Sequence, residues 1–275
     1  MSFVHLYTHS EYSIGRSIIK IKDVVDKAIN SGMKAIALTD ENMFGTMEFY
    51  KLAKSKDIKP IFGFEVYISL TSRFDKDTDV SYPIVLLAKN KKGYKNLMKL
   101  STFSYTEGFC CKPRVDKSLL EEYSDGIIAG SVCLNSEVQF NLLSGNYDAA
   151  KRTVMEYKEI FGKESFFLGI ARHGLNEEKR IEDNLIKLAN DTDTILVAIN
   201  DCRYLNKADA TAYEVFLSIQ TDNQIKTENM KSHEFYFKTE EEMLATFEDH
   251  PEFVRNSQLI ADMCDKIEFD NMHFA

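Results

Sequence analysis

Seven polar side chains of this sequence follow or interrupt short apolar runs, and their chemical types suit a metal-binding site. They are a histidine, four carboxylates, a cysteine and an arginine: His9, Asp40, Glu41, Glu65, Cys133, Asp201 and Arg203. Imidazole, carboxylate and thiolate groups are common ligands of divalent metal ions. The set therefore indicates a candidate metal cluster, provided that the fold brings these separated positions together.

Candidate strands alternate with amphipathic helices along most of the chain. The strands are continuous hydrophobic runs, the pattern of strands buried on both faces of a parallel sheet. They are Phe3–Tyr7, Ala35–Thr39, Pro60–Phe62, Val66–Leu70, Ile84–Ala88, Gly126–Ala129, Phe166–Ile170 and Ile195–Ile199. This alternation predicts an α/β protein with a mostly parallel sheet, closed as a barrel. In such a barrel the carboxyl ends of the strands share one face, where the polar side chains would meet.

Recognisable end signals mark the helices between these strands. Helices are predicted over Lys22–Ser31, before Gly32, and over Asn42 to Ser55. Asn206 is a candidate N-cap of a helix that reaches Gln220. Two more helices are predicted to begin at the Thr239/Glu242 capping box and around Pro251, and one late strand is predicted at His233–Phe237.

The composition excludes several classes of protein. The formal net charge of −9 makes the chain a poor partner for a phosphate backbone on its own. The longest apolar run, Tyr82–Ala88, is far shorter than the roughly 20 residues of a membrane-spanning helix, so no membrane partner is expected. The five cysteines include no CxxC pair, and a disulfide between the adjacent Cys110 and Cys111 would be strained. Reduced thiols in a cytoplasmic protein are expected.

Several colinear segments carry a specific family resemblance. They are FVHLYTHSEYS, ALTDENMFGTMEFYKLAKSKDIKPIFGFEVYI, VLLAKNKKGYKNL, KPRVDKSLLEEYSDGII, CLNSE, ARHGLNEE and AINDCRYLNKADA. From Phe3 to about Gln220 the chain resembles the PHP (polymerase and histidinol phosphatase) family. The NMFGxxEFY and NDxxYL segments resemble the branch found at the N-terminus of bacterial replicative DNA polymerase III alpha subunits.

The resemblance implies a fold and a domain division. The fold is a distorted, seven-stranded, parallel β/α barrel, TIM-like, with a helix-rich C-terminal extension. We expect the PHP barrel domain at residues 1–220. Residues 221–275 would form the extension, leading toward a polymerase core that these residues do not include.

Intact members of the family bind several metal ions in a cleft, and the resemblance places the ligand positions of that cleft on this chain. Ligands survive at His9, Glu65, Cys133 and Asp201, with Asp40 and Glu41 adjacent. The other positions are substituted, and they hold Tyr7, Arg16, Glu41, Pro83 and Arg203. Because of a gap, the position given to Arg16 could equally fall on Gly15.

These substitutions change the chemistry of the implied cleft. Arginine stays protonated and presents a rigid fork of donors to carboxylates, so Arg203 and Arg16 could replace cations with salt bridges. Too few ligands would remain around any one ion to lower the pKa of a bound water. We therefore expect a degenerate metal pocket, with no catalytic residue and no cofactor in this segment.

The first functional interpretation is a non-catalytic domain of a replicative polymerase. The resemblance implies a bacterial, cytoplasmic parent with DNA-directed DNA polymerase (nucleotidyltransferase) activity that uses Mg²⁺. The segment itself would support the polymerase fold and dock the separate proofreading exonuclease subunit. Its partners would be the remainder of the polymerase chain and that exonuclease, with other replicase subunits and DNA reached through the parent.

Two enzymatic interpretations stay open. The first is an active metal-dependent phosphoesterase, a 3′–5′ exonuclease or pyrophosphatase with Zn²⁺ or Mn²⁺, in which Glu41 replaces a lost ligand. The second is a stand-alone phosphatase of the histidinol-phosphate type, which the polymerase-like segments disfavour. For single residues, we expect His9 to be a hydrogen-bonded structural histidine and Cys133 a small buried hydrophobe. His173 is expected outside the metal set, and the loop from Cys110 to Arg114 is expected to be solvated or to contact the rest of the polymerase.

Overall fold

The computed structural model describes residues 3–220 and 232–269, in which strands and helices alternate. The strands are β1 (Ala35–Leu38), β2 (Lys59–Ser69), β3 (Ser81–Ala88), β4 (Arg114–Asp116), β5 (Ile127–Ser131), β6 (Phe166–Ile170) and β7 (Ile195–Ala198). The α-helices are α1 (Ile21–Asn30), α2 (Thr46–Ser55), α3 (Lys91–Thr106), α4 (Lys117–Glu122), α5 (Glu137–Leu143), α6 (Tyr147–Phe161), α7 (Asn176–Asp191), α8 (Ala210–Gln220), α9 (Glu240–Thr246) and α10 (Pro251–Asp262).

The seven strands form one curled sheet in the order β1-β2-β3-β5-β6-β7, with β4 paired to the far end of β2. This arrangement confirms the predicted α/β, barrel-like fold class. One strand departs from the predicted parallel pattern, because β3 runs antiparallel to both β2 and β5. A run buried on both faces has the same hydrophobic pattern in either direction, so the sequence could not reveal this reversal.

Four predicted strands differ from the structure. Phe3–Tyr7 forms no regular ladder, and instead the N–H of Ala37 donates to the carbonyl of His5 at 2.9 Å. Pro60–Phe62 and Val66–Leu70 are parts of the single strand β2, which continues through Gly63. His233–Phe237 is not a strand, since only Tyr236 makes an isolated bridge, to Tyr204. The short strand β4 was not predicted.

The helix signals were more accurate than the strand boundaries. The capping box of Thr239 and Glu242 begins α9, and Pro251 occupies the first turn of α10. The helix predicted from Asn42 begins only at Thr46, after a turn. Asn206 caps a short 3-10 turn that leads into α8.

Alternation along the strands divides the core into two layers. In β1, Ile36 and Leu38 pack toward the helices, whereas Ala35 and Ala37 belong to the cluster inside the curled sheet. The inner cluster also contains Ile260 and Ala261 of α10 and Cys264 just after it, together with Val4, Ile61, Val85, Leu87, Phe167 and Val197. Helix α10 is therefore part of the barrel core and not a detached appendage.

Candidate functional site

The candidate residues reach one cleft because their elements end there. His9 follows the N-terminal segment, Asp40 and Glu41 follow β1, and Cys133 and Asp201 come after β5 and β7. Glu65 instead lies in the middle of β2, fully buried, where its N–H donates to the carbonyl of Asp40 at 2.9 Å. This pairing places the Glu65 carboxylate beside the residues that follow β1.

The guanidinium of Arg16 lies at the centre of this cleft. Its Nη1 donates to Glu41 Oε1 at 2.7 Å and also to a carboxylate oxygen of Glu65. Its Nη2 donates to the Tyr7 hydroxyl at 2.8 Å. The backbone that carries Arg16 is fixed from the other side, since Tyr213 of α8 donates its hydroxyl to the Arg16 carbonyl at 2.8 Å. One arginine thus connects two carboxylates and a phenol.

Tyr7 closes the same network from within the barrel. Burial raises the pKa of Tyr7 far above its usual value, so the phenol stays protonated. Its O–H donates a hydrogen bond to the Glu65 carboxylate. The Tyr7 oxygen also lies 3.3 Å from the Cys133 sulfur. Its hydroxyl therefore occupies the space between Glu65 and Cys133, two of the positions at which the sequence analysis expects a ligand to survive.

His9 lies between two carboxylates without bonding to either. Its Nε2 is 3.7 Å from Glu65 and its Nδ1 is 3.7 Å from Asp201, and neither ring nitrogen has a hydrogen-bond partner. Asp201 also has one unpartnered oxygen, while the other accepts from Arg203 Nε at 3.0 Å and Nη2 at 2.7 Å. His9 is thus fully buried, but the direct hydrogen bonds expected of it are not found among the described residues.

Electrostatic balance explains how these buried charges persist. Burial opposes ionisation of Glu65, but Arg16 and the neighbouring donors outweigh it and lower the pKa of Glu65 to about 2. Burial likewise opposes ionisation of Asp201, yet Arg203 holds its pKa well below the usual range. Burial and Arg16 oppose protonation of His9, but the flanking Asp201 and Glu65 outweigh them and raise its pKa. The arginines thus keep both carboxylates ionised.

Cys133 has none of the activation that a nucleophile requires. Burial raises the pKa of its thiol to about 12, and the Glu65 carboxylate acts in the same direction. Its nearest polar neighbours are the hydroxyls of Tyr7 and of Ser136, the latter at 3.6 Å. Cys133 is half-buried and remains a protonated thiol in this environment.

Two of the sequence-derived positions do not join the central network. The Asp40 carboxylate accepts from the Ser10 N–H at 2.6 Å, from the Ser10 hydroxyl at 2.7 Å and from the Ser13 hydroxyl at 2.6 Å. Asp40 therefore anchors the loop that leads to Arg16. Pro83 lies on β3 opposite Tyr67, in the stretch of β3 beyond its ladder with β5.

Sequence reasoning missed two residues that complete the cleft. Tyr67 donates its hydroxyl to Glu41 at 3.2 Å, and its position two residues after Glu65 on β2 could have indicated a shared face. His173, which was expected outside the metal set, is buried, and its Nε2 accepts from the Asp201 N–H at 3.2 Å. Its Nδ1 then donates to Glu178 at 2.6 Å, which fixes the tautomer.

A cavity of about 270 Å³ adjoins the network. Both arginines and Asp201 contribute to its wall, and the remaining wall is largely apolar, from residues after β5, β6 and β7 and from α7: Val132, Leu134, Ile170, Ile181, Leu185 and Ile199. The cavity is large enough for a few water molecules or a small ligand. The only cations that face it from the described residues are already paired with carboxylates.

The donor set does not fit a metal cluster of the family's kind. Within the described residues, no three His, Cys, Asp or Glu side chains of this cleft bring their ligand atoms within 4.8 Å of one another. His9 approaches Glu65 and Asp201 with opposite ring nitrogens, so one ion could not bind all three. The Arg16 guanidinium and the Tyr7 hydroxyl lie between the remaining carboxylates and thiol.

Comparison with known proteins agrees with this architecture. The sequence profile described as "PHP domain" matches residues 5–173, and the chain belongs to that family. Its relatives include proteins named DNA polymerase III subunit alpha, which confirms the resemblance predicted from the sequence. The one from Borreliella burgdorferi is 42% identical over 97% of this chain and 24% of its own length. Those from Helicobacter pylori and Treponema pallidum are 40% and 39% identical, each over 96% of this chain and 23% of their own length.

The chain spans about a quarter of the length of these relatives. Across the described residues, none of the helices combines the length and the apolar character needed to cross a bilayer.

Replacing Arg16 tests its place at the centre of the network. We expect Arg16→Met to lower the free energy of unfolding by about 3 kcal/mol, because it leaves the buried Glu65 carboxylate without a counter-charge. Lys92→Met is the matched control, since the Lys92–Asp125 pair is exposed and should cost less than about 1 kcal/mol. Urea denaturation at pH 7 measures both. Equal losses in the two variants would contradict the central role of Arg16.

The lowered pKa of Glu65 predicts a specific acid dependence. Its pKa of about 2 in the folded chain lies below the ordinary value near 4.3, so its stabilising contribution is present above about pH 5 and is lost as the pH falls toward 2. Between pH 5 and pH 3 the stability advantage of the wild type over Glu65→Gln should shrink by about 2 kcal/mol. Urea titrations at both pH values give this difference. A constant difference would show that Glu65 is not held ionised by Arg16.

Proposed function

We propose that this chain is the PHP domain of a bacterial DNA polymerase III alpha subunit and that it acts as a non-catalytic scaffold. In this role it supports the fold of the polymerase and docks the separate proofreading exonuclease. Similarity to proteins named DNA polymerase III subunit alpha along nearly the whole chain supports the first part of this proposal. The proposed barrel domain at 1–220 has to include α10 as well, because that helix packs inside the sheet, so only the remainder of residues 221–275 stays a proposed extension toward the polymerase core.

The single observation that carries the non-catalytic role is the position of Arg16. Its guanidinium bonds Glu65 and Glu41 together and reaches Tyr7, so a fixed organic cation supplies the positive charge in the cleft. A guanidinium has no coordination position for water and does not lose its proton at neutral pH. Hydrolysis of a phosphoester requires an activated water or another nucleophile, and the Cys133 thiol is not activated. The cleft is therefore a structural salt-bridge cluster.

The wider role follows from the relatives. The parent protein would carry out template-directed DNA synthesis in the bacterial cytoplasm, as a DNA-directed DNA polymerase whose Mg²⁺ ligands lie outside this chain. DNA and other replicase subunits would be reached through the remainder of the polymerase chain. If this barrel does not remove misincorporated nucleotides, that task falls to a separate subunit, for which the barrel provides a docking site.

An active metal-dependent phosphoesterase is the second candidate, and one observation favours it. Both ring nitrogens of His9 and one oxygen of Asp201 are buried without hydrogen-bond partners, beside a cavity. Buried polar atoms without partners are uncommon, and such atoms can mark the site of an ion or an ordered water. An active site of this kind would require Arg16 to leave the cleft.

Mn²⁺ binding separates the two candidates. We expect the wild type to bind substoichiometric Mn²⁺ by elemental analysis after dialysis, with no rise in melting temperature. The combined variant Tyr7→His, Arg16→Asp, Glu41→His and Arg203→His restores family-type ligands and should gain Mn²⁺ and a higher melting temperature. Circular dichroism verifies that the variant is folded. Near-stoichiometric Mn²⁺ on the wild type would contradict the proposal, and exonuclease and pyrophosphatase assays would then follow.

Docking of a proofreading subunit is testable on an exposed aromatic row near the cleft. Phe44 and Tyr105 have ring centroids 6.5 Å apart, and Tyr105 stacks on Phe109 at 6.3 Å. Exposed large apolar side chains that lie together commonly mark interfaces. We expect a 1:1 complex with the exonuclease subunit of the same organism, measured by light scattering after gel filtration.

In this assay the double variant Phe44→Ser and Phe109→Ser should weaken the complex at least about tenfold. Met155→Ser, at an exposed methionine of α6, is the matched control and should leave the affinity unchanged. Absence of any complex with the wild type would contradict the docking role. A complex that both variants leave intact would contradict this surface.

A further inference from the structure

Two cysteines and an aspartate lie together outside the cleft described above. Cys110 and Cys111 belong to the loop between α3 and β4, and Asp79 belongs to the loop between β2 and β3. One ligand atom of each residue, two sulfurs and a carboxylate oxygen, lies within 4.8 Å of the other two. Within residues 3–220 and 232–269, no other group of three His, Cys, Asp or Glu side chains meets this condition.

The sheet explains why residues so far apart in sequence meet. The end of β2 pairs with the start of β3, with Ser69 opposite Ser81, and also with β4 on its other edge, with Tyr67 opposite Arg114. The first residues of β3 and of β4 therefore flank the last three residues of β2, one strand on each edge. Asp79 is two residues before β3, and the cysteines are three and four residues before β4.

A buried arginine ties the two loops together. Arg114 is fully buried, and its Nη1 and Nη2 donate to the carbonyls of Thr78 at 2.6 Å and Asp75 at 2.5 Å. Its Nε donates to the carbonyl of Gly108 in the other loop at 3.1 Å. Because the bonds to charged donors are strong, they hold the backbone on both sides of the ligand group in place.

Further backbone bonds position the thiols. Lys76 donates to the carbonyls of Glu107 at 2.7 Å and Phe109 at 2.8 Å, and the Cys110 thiol lies 3.6 Å from the carbonyl of Lys76. Cys110 N–H donates to the carbonyl of Lys112 at 3.1 Å across Cys111, which has a left-handed φ of 60°. The three ligands are thus carried by a cross-linked pair of loops and not by free chain.

We propose that Cys110, Cys111 and Asp79 form a zinc site. Two thiolates and one carboxylate bind one Zn²⁺, and a water completes a tetrahedral coordination. Sulfur ligands select Zn²⁺ over Mg²⁺, Ca²⁺ and Mn²⁺, which prefer oxygen. Binding releases one proton from each thiol to solvent and changes no oxidation state, so the affinity falls as the pH is lowered.

Two features of the group favour metal binding over a disulfide. Adjacent cysteines cannot reach ordinary disulfide geometry without strain, so both sulfurs remain available as thiols. The carboxylate of Asp79 adds a negative oxygen ligand that a disulfide would not use. The site also lies beside the rim of the cleft, since Lys112 Nζ is 4.3 Å from the centroid of the Tyr67 ring and Tyr67 donates to Glu41. Bound Zn²⁺ would fasten both loops at this rim.

Titration of the reduced chain with Co²⁺ and Zn²⁺ tests the proposal. Co²⁺ bound to thiolate gives a near-ultraviolet charge-transfer band. Zn²⁺ should displace the Co²⁺ and abolish this band at one equivalent per chain. Cys110→Ser and Cys111→Ser should each lose most of this band. Asp79→Asn should weaken the affinity at least about tenfold, whereas the matched control Asp77→Asn in the same loop should not change it.

Two further measurements make every outcome decisive. Glu41→Gln, in the cleft, should leave the Co²⁺ band unchanged, and circular dichroism should show that each serine variant is folded. Zn²⁺ should also raise the melting temperature of the wild type but not of the double Cys110→Ser, Cys111→Ser variant. A band that persists in the double variant, that disappears in Glu41→Gln, or that never forms in the folded wild type would overturn the proposal.

Discussion

The ion pair between Arg16 and the fully buried Glu65 is the constraint on which the cleft depends. An isolated carboxylate in the barrel interior would carry a desolvation cost of many kcal/mol and would take up a proton instead. The guanidinium removes that cost, because it stays charged and its planar fork reaches two carboxylates and the Tyr7 hydroxyl at once. Glu65 can then remain ionised, and it accepts from the Tyr7 hydroxyl as well as from Arg16.

The contacts that hold Arg16 beside Glu65 extend into the loops around the cleft. Asp40 binds Ser10 and Ser13, and this loop brings Arg16 over β2. Tyr213 of α8 fixes the Arg16 backbone from the C-terminal side. Tyr7, Arg16 and Glu41 therefore act as one unit, because each contacts Glu65 or the guanidinium bound to it. A change at any one of them alters the charge balance of the others.

Much of the fold was predictable from the sequence, because hydrophobic runs and capping residues report local structure. The class of fold and the starts of α9 and α10 were found this way. The antiparallel direction of β3 was not predictable, since the hydrophobic pattern of a strand buried on both faces is the same in either direction. The same limit applies to sites: the types of ligand residue were visible, but the pairing of Asp79 with Cys110 depends on strand neighbours that no local pattern encodes. The position of His9 between two carboxylates was not predictable, because these come from β2 and from the segment after β7.

The two charged clusters solve different physical problems. In the cleft, the positive charge is covalently part of the chain, so the barrel keeps its shape whatever the supply of metal ions, and the arginine remains protonated at any physiological pH. In the loops, the ligands of the proposed zinc site are two thiols and one exposed carboxylate, and Zn²⁺ binding there would release the thiol protons. The barrel core can therefore stay folded while the loops at its rim respond to a metal. For the scaffold role proposed above, that separation would let the surface be adjusted without disturbing the interior.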